Sequence, residues 1–177
     1  MTGRLLLGLF CVMALEGTAQ KYVAEKSVIT FFSDALIEDI TASNAKTTSI
    51  FNKQTGELAF SVPVREFQFE NKLMQEHFNE KYMESDKYPK ATFSGKIINL
   101  DVAQTDVQQV KAKGKLTIHG VTREVEIYGT AQPGDKITVK TKFRVKLADY
   151  KIKIPQVVFQ NIAEEVEVTV DITYKPQ

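Results

Sequence analysis

The sequence predicts an all-β protein, an antiparallel barrel of about eight strands with one short helix near residues 71–84. Three observations carry this. Short segments with alternating apolar and polar residues recur along most of the chain. One stretch alone has helical spacing, too little to cover the faces of a parallel sheet. Each strand keeps one polar face, so burial is single-sided, as in a sandwich or a closed barrel. The length of several of these strands favours the barrel.

In chain order, residues 26–33 (KSVITFFS) read as the first strand, with Ile29 and Phe31 on one face. Residues 36–43 and 46–51 alternate more weakly. Residues 52–56 (NKQTG) have turn composition. Residues 57–65 place Leu58, Phe60, Val62 and Val64 on one face, and Pro63 belongs at a bulge, an end or an edge. Asn71 is positioned to cap a helix over 72–83, whose Leu73, Met74, His77, Phe78 and Tyr82 share a face. Residues 90–100 resume the alternation through Ala91, Phe93, Gly95 and Ile97.

Residues 111–131 read as a hairpin turning at His119-Gly120, where glycine accepts the positive φ of a tight corner. That corner pairs Ile118 with Val121, Leu116 with Arg123, Gly114 with Val125 and Ala112 with Ile127. The inner face is apolar except for Arg123. Residues 136–147 alternate cleanly through Ile137, Val139, Thr141, Phe143, Val145 and Leu147. Residues 157–162 read as irregular or extended. Residues 165–174 close the chain with Val166, Val168, Val170, Ile172 and Tyr174 inward. Small residues on the inner faces (Ala91, Gly95, Ala112, Gly114, Gly129, Ala131) have two readings: room for a ligand, or relief where strands crowd.

The ends of the chain suggest a destination. Arg4, the apolar run 5–15 and Gly17-Thr18-Ala19 have the order of a secretory signal peptide over residues 1–19, leaving a domain over 20–177. A retained anchor is the alternative. The run is too short to span a bilayer, so no integral membrane span is expected in the mature chain. The expected location is periplasmic or secreted. Cys11, the one cysteine, lies in that leader, so disulfides, cysteine-held metals and thiol catalysis are excluded from the mature chain.

Charge excludes further classes. Lys and Arg total 23 and Asp and Glu 22, a net charge of +1 that gives no global attraction to nucleic acid. The stripe Lys136, Lys140, Lys142, Arg144 and Lys146 reads as a solvated strand face rather than a headgroup-binding surface. No phosphate loop, zinc motif or nucleophile elbow occurs. His77, flanked by Glu76 and Glu80, reads as a helix-surface histidine rather than a metal ligand. His119 reads as a turn residue rather than a polar group at a cavity mouth. Arg123 is placed either at a wet rim or against an anionic group, since an unpaired buried charge is costly. No catalytic residue, metal or resident cofactor is expected.

Two motifs resemble the YceI-like family of exported lipid-binding proteins. The run Gly114-Lys115-Leu116-Thr117-Ile118-His119-Gly120-Val121-Thr122-Arg123 is similar to its Gly-x-Leu-Thr-Ile-His-Gly-Val-Thr-basic signature. The run Lys87-Tyr88-Pro89-Lys90-Ala91-Thr92-Phe93 is similar to its Lys-Tyr-Pro-x-Ala-x-Phe signature. The start of the mature chain departs most, lacking the tryptophan with which family members often open. The resemblance implies a lipocalin-like barrel with an apolar tunnel for a polyisoprenoid, an isoprenoid quinone or a similar amphiphile, without enzymatic activity. Face assignment then nominates Phe60, Phe93, Leu116, Ile118, Val125, Ile127, Phe143, Val145 and Val168 as lining, with Arg123 as the polar contact. The competing expectation is a solid barrel acting as an interaction module toward an envelope protein partner.

Overall fold

The computed structural model describes residues 21–34, 39–154 and 163–177. The expected leader, part of the weak segment at 36–43 and all of 157–162 lie outside the described residues. The strands are β1 (Lys21–Ser33), β2 (Ile40–Asn44), β3 (Thr48–Asn52), β4 (Glu57–Pro63), β5 (Gln68–Phe69), β6 (Lys90–Ile98), β7 (Gln108–Ile118), β8 (Val121–Gln132), β9 (Ile137–Lys146) and β10 (Glu165–Pro176). Helix α1 (Lys72–His77) lies between β5 and β6.

The strands pair antiparallel, and β10 pairs back to β1, which closes the sheet into a barrel. Around the barrel the order is β1, β3, β4, β6, β7, β8, β9, β10, an eight-staved closure. The stave beside β1 is broken. β3 pairs with its first residues (Tyr22↔Phe51) and β2 with its last (Phe31↔Ala42). Asn44 holds the break together. Fully buried, it donates from Nδ2 to the Pro63 carbonyl at 2.8 Å and accepts at Oδ1 from the Lys46 amide at 2.8 Å. A buried amide side chain with its groups satisfied avoids the cost of an orphaned polar atom. β5, which pairs with β2, extends this flank.

Residue chemistry sets the boundaries. Asn52 Oδ1 accepts from the Gln54 and Thr55 amides, making the expected turn, and Gly56 leaves it with φ of 72°. Pro63 ends β4, where its missing N–H breaks no ladder bond. β1 runs five residues further toward the N-terminus than the alternation suggests, because a bulge between Ala24 and Lys26 shifts the inward phase. Inward positions are therefore Tyr22 and Ala24 below the bulge, and Ser27, Ile29, Phe31 and Ser33 above it.

The hairpin of β7 and β8 has the register expected from sequence, from Ile118↔Val121 through Leu116↔Arg123 to Ala112↔Ile127. His119 and Gly120 both take positive φ, 50° and 71°, as a twist-compatible two-residue corner requires. Part of the basic stripe is paired with acids: Lys140 and Lys142 of β9 with Asp171 at 3.0 Å and Glu167 at 2.7 Å on the neighbouring β10, and Lys136, just before β9, with Glu25 of β1.

The helix is shorter than its sequence pattern. α1 spans one and a half turns and then widens into a π-helical turn, Phe78–Tyr82. Asn71 caps it as expected, its side chain accepting from the Leu73 and Met74 amides at 2.9 and 3.2 Å. No residue of α1 is buried, so the cap carries much of its local stability. Asn71→Ala is expected to lower the opening free energy of this helix by about 1 kcal/mol. Amide exchange at Leu73 and Met74 would report it as an acceleration of about fivefold, and unchanged exchange would show that the cap is dispensable.

Candidate functional site: an apolar cavity inside the barrel

With β7 turning into β8 at the upper end, the barrel has a floor, a wall and a roof. The floor is Tyr22, Phe51, Ile137, Ile172 and Tyr174, each no more than 3% exposed. Phe51 and Tyr174 lie with ring centroids 5.8 Å apart, and the Tyr174 hydroxyl meets Ser49 Oγ at 2.6 Å. Burial pushes the Tyr174 hydroxyl well above the usual phenol range, and the Ser49 hydrogen bond pulls it part of the way back. The lower end is therefore sealed.

Above the floor is a cavity of about 370 Å³, within the usual range for small-molecule pockets. Its wall is made by inward residues of the long strands, including Leu58, Phe60, Val62, Phe93, Ala112, Leu116, Ile127, Val139, Phe143 and Val168. The polar residues on the lining are Ser33, Asn71, His77, Tyr82, Thr92 and Thr141. Three are already engaged: Ser33 Oγ accepts from the Ala163 amide at 3.0 Å, Asn71 caps the helix, and Thr141 Oγ1 donates to the Tyr128 carbonyl at 2.6 Å. Among the described residues no carboxylate, lysine or arginine lines the cavity. Nor, among them, do three or more metal-ligating side chains of His, Cys, Asp or Glu type converge. Such a chamber can hold a hydrocarbon chain, and its described lining residues present no nucleophile with a base beside it.

The roof is aromatic. The π-helical turn drops Phe78 onto Phe31, Phe67 and Phe69, with ring centroids 5.5, 5.7 and 5.0 Å away. Phe31 also lies 5.4 Å from Phe67 and 5.6 Å from Phe69. Such tilted and offset pairs attract beyond their area burial. A π-helical turn often marks a functional site; here it points the helix's apolar side into the cavity. Leu73 also lines the mouth although it is 59% exposed.

The sequence-predicted lining residues divide into two groups. Phe60, Phe93, Leu116, Ile118, Ile127, Phe143, Val145 and Val168 are brought together on the cavity lining. Val125 and Arg123 lie on a gap between β8 and β9 instead. Arg123 occupies its expected ladder position, but its side chain turns across this gap. Its Nε donates to the Asp149 carbonyl at 2.8 Å, and its guanidinium lies 3.2 Å from the Asp149 carboxylate. It is about half exposed, the wet-rim placement.

His119 does not line the cavity. Beyond forming the corner, it is buried and ties two segments together: Nδ1 lies 3.1 Å from the Tyr150 carbonyl and Nε2 2.8 Å from Glu84 Oε2. Tyr88, from the second family-like motif, packs edge-on at 4.5 Å. The two motifs thus meet in one joint at the upper end.

The small inner residues also divide. Ala91 and Ala112 line the cavity, which is the ligand-room reading; Gly129 lines it too, but a Cβ there would stand 2.5 Å from the Lys140 carbonyl oxygen, so it also permits close approach of β8 and β9. Gly95 and Gly114 face each other across the ladder and are not on the lining. A Cβ on either would stand under 2.5 Å from a backbone carbonyl of the neighbouring strand, so these two permit close approach of β6 and β7. Sequence reasoning missed Phe67, Phe69, Met83 and Ile152 as lining. The alternation of Glu66-Phe67-Gln68-Phe69 was a usable signal for the first pair; Ile152 follows β9 in irregular chain and carried none.

Comparison with known proteins follows the same lines. The sequence pattern of the YceI-like domain matches residues 21–174. No curated relative matches the chain. Among solved structures it is similar to a polyisoprenoid-binding domain from Saccharophagus degradans implicated in plant cell wall breakdown, at TM-score 0.76 and 17% identity, covering 88% of this chain and 98% of that one. It is similar to Burkholderia cenocepacia BcnA at TM-score 0.69 and 20% identity, covering 83% and 95%. A third similar structure is a Campylobacter jejuni YceI protein, at TM-score 0.64 and 16% identity, covering 80% and 86%. At these identities the likeness is one of fold.

Proposed function

Since the chain belongs to the YceI-like family, we propose that it is an exported, non-enzymatic binding protein that carries or sequesters one long-chain isoprenoid amphiphile, a polyisoprenoid or an isoprenoid quinone. The observation that carries this is the apolar cavity of about 370 Å³ with no charged side chain among its described lining residues. A hydrocarbon chain placed there gains about 0.8 kcal/mol per methylene. Ten methylenes supply roughly 8 kcal/mol gross, the scale of a micromolar complex before ordering costs. Chain length therefore sets affinity, and no ion pair with a headgroup is required. That a similar fold is a polyisoprenoid-binding domain supports the isoprenoid class. The leader-like residues 1–19 support export.

The test is to produce the chain from its full sequence in a bacterial host, recover the exported fraction, extract it with organic solvent and analyse the extract by mass spectrometry. The expected result is a protein beginning at Gln20 that carries a prenyl-chain lipid in near-stoichiometric amount. A protein that leaves production empty and takes up neither a polyprenol nor a quinone overturns the reading and returns the barrel to the class of interaction modules.

A further inference from the structure

One seam of the barrel is incompletely stitched. β7 holds β8 along its whole length, from Gln108↔Ala131 to Ile118↔Val121. β10 holds β9 from Tyr174↔Ile137 to Glu165↔Lys146. Between β8 and β9 the ladder runs only from Gln132↔Thr138 to Gly129↔Thr141. Above it, residues 121–128 and 142–146 diverge around a slot of about 270 Å³. Four side chains behind the slot, Leu116, Ile127, Phe143 and Val145, also line the central cavity. There the barrel wall is side chain alone, with no backbone ladder behind it.

The upper end of the slot is closed by a 3-10 turn, Leu147–Tyr150. That turn is held to the β7–β8 corner by Arg123 on Asp149 and by His119 on the Tyr150 carbonyl. The turn leaves through Lys151 in the left-handed region at φ of 57°, a conformation a lysine adopts only when its surroundings impose it. The floor is sealed, and at the roof the mouth beside exposed Leu73 is crowded by four phenylalanine rings. Passing a chain between any fully laddered pair of strands breaks backbone hydrogen bonds and strands their partners. Passing it through the slot breaks no strand-ladder hydrogen bond among the described residues and displaces only the Arg123–Asp149 contact.

We propose that the slot between β8 and β9 is a side door to the cavity, through which a flexible hydrocarbon chain is loaded and released, with the Arg123–Asp149 pair as its latch. This rests on the lipid-carrying reading. It gives Arg123 a role as a positioning residue for the turn rather than as a ligand for the headgroup.

The test uses geranylgeraniol carrying an anthraniloyl ester, followed by stopped-flow fluorescence. Continuing the β8–β9 register upward sets Glu126 opposite Arg144, but the strands diverge there, so the chain carrying C11S, E126C and R144C is stapled across the outer face of the slot with a reducible bis-maleimide linker rather than a direct disulfide. The staple is expected to slow both uptake and release by at least about tenfold, and reductive cleavage of the linker in the same sample to restore them. Separately, R123A and D149A are each expected to speed uptake and release together by about fivefold with Kd nearly unchanged, the scale of an exposed charge-assisted pair. A staple that forms, verified by mass, and leaves both rates unchanged overturns the side door and assigns loading to the roof. If the staple does not form, unchanged rates in both latch variants overturn it equally. Failure of the unmodified chain to take up the probe at all overturns the carrier reading instead.

Discussion

Phe51→Ala is expected to cost about 3–5 kcal/mol of folding stability, close to the upper end for a single core truncation. Phe51 is 1% exposed and sits in the floor against Tyr174, on a strand that pairs with β1 at Tyr22. Removing its ring leaves a void bounded by the closing strands of the barrel, β1, β3 and β10, which are fixed by ladders on both sides and have little freedom to collapse into it. Urea unfolding followed by circular dichroism is the measurement, with the midpoint falling and the slope retained. Phe51 is not on the cavity lining, so the folded fraction should bind a prenyl probe as the parent does. A loss below about 1 kcal/mol would mean that the floor repacks, and that it is not the seal described above.

Gly95→Val is expected to be as damaging by the opposite mechanism. A Cβ at residue 95 would lie 2.3 Å from the Lys113 carbonyl oxygen and 2.7 Å from Gly114 Cα. Both obstacles are backbone, which cannot rotate away as a side chain can. β6 and β7 must separate, and their ladder, from Thr92↔Thr117 to Ile98↔Lys111, must be partly given up. The expected loss is about 3 kcal/mol or more, seen as a chain that is largely insoluble or unfolds at low urea. Gly134→Ala is the control. Its Cβ would meet only the Lys136 carbonyl at 3.3 Å, in the β8–β9 turn, so a small effect is expected. If Gly95→Val instead folds normally but binds less probe, the glycine's role is ligand clearance after all.

These two positions show what sequence could and could not reveal. Period-two alternation placed Gly95 on its strand and Phe51 at the end of a more weakly alternating one, and the corner at His119-Gly120 fixed the hairpin register to the residue. Local chemistry decides the strand at Gly95 and the hairpin corner, so these were legible, whereas the face of Phe51 was not. Whether an inward glycine faces a ligand or a second glycine depends on how β6 pairs with β7, a long-range choice that alternation does not encode. The same limit hid the bulge at Glu25, which reverses the phase of β1, and the widening of the helix at Phe78, which periodicity read as continuous α-helix. Arg123 is the clearest case. Its ladder position was legible, but its partner, Asp149, lies 26 residues away on a turn that no pattern announces.

The unstitched seam has a consequence for how the protein keeps its own company. A strand edge with free amides and carbonyls is a template on which another chain can add, the usual start of edge-to-edge aggregation. Here the lips carry Arg123, Glu124 and Glu126 on one side and Arg144 and Lys146 on the other. An incoming strand would have to desolvate charges of both signs to pair there, and the turn over the upper end shortens the template it could use. The gap that loosens the barrel is thus bordered by residues that discourage a neighbouring molecule from filling it.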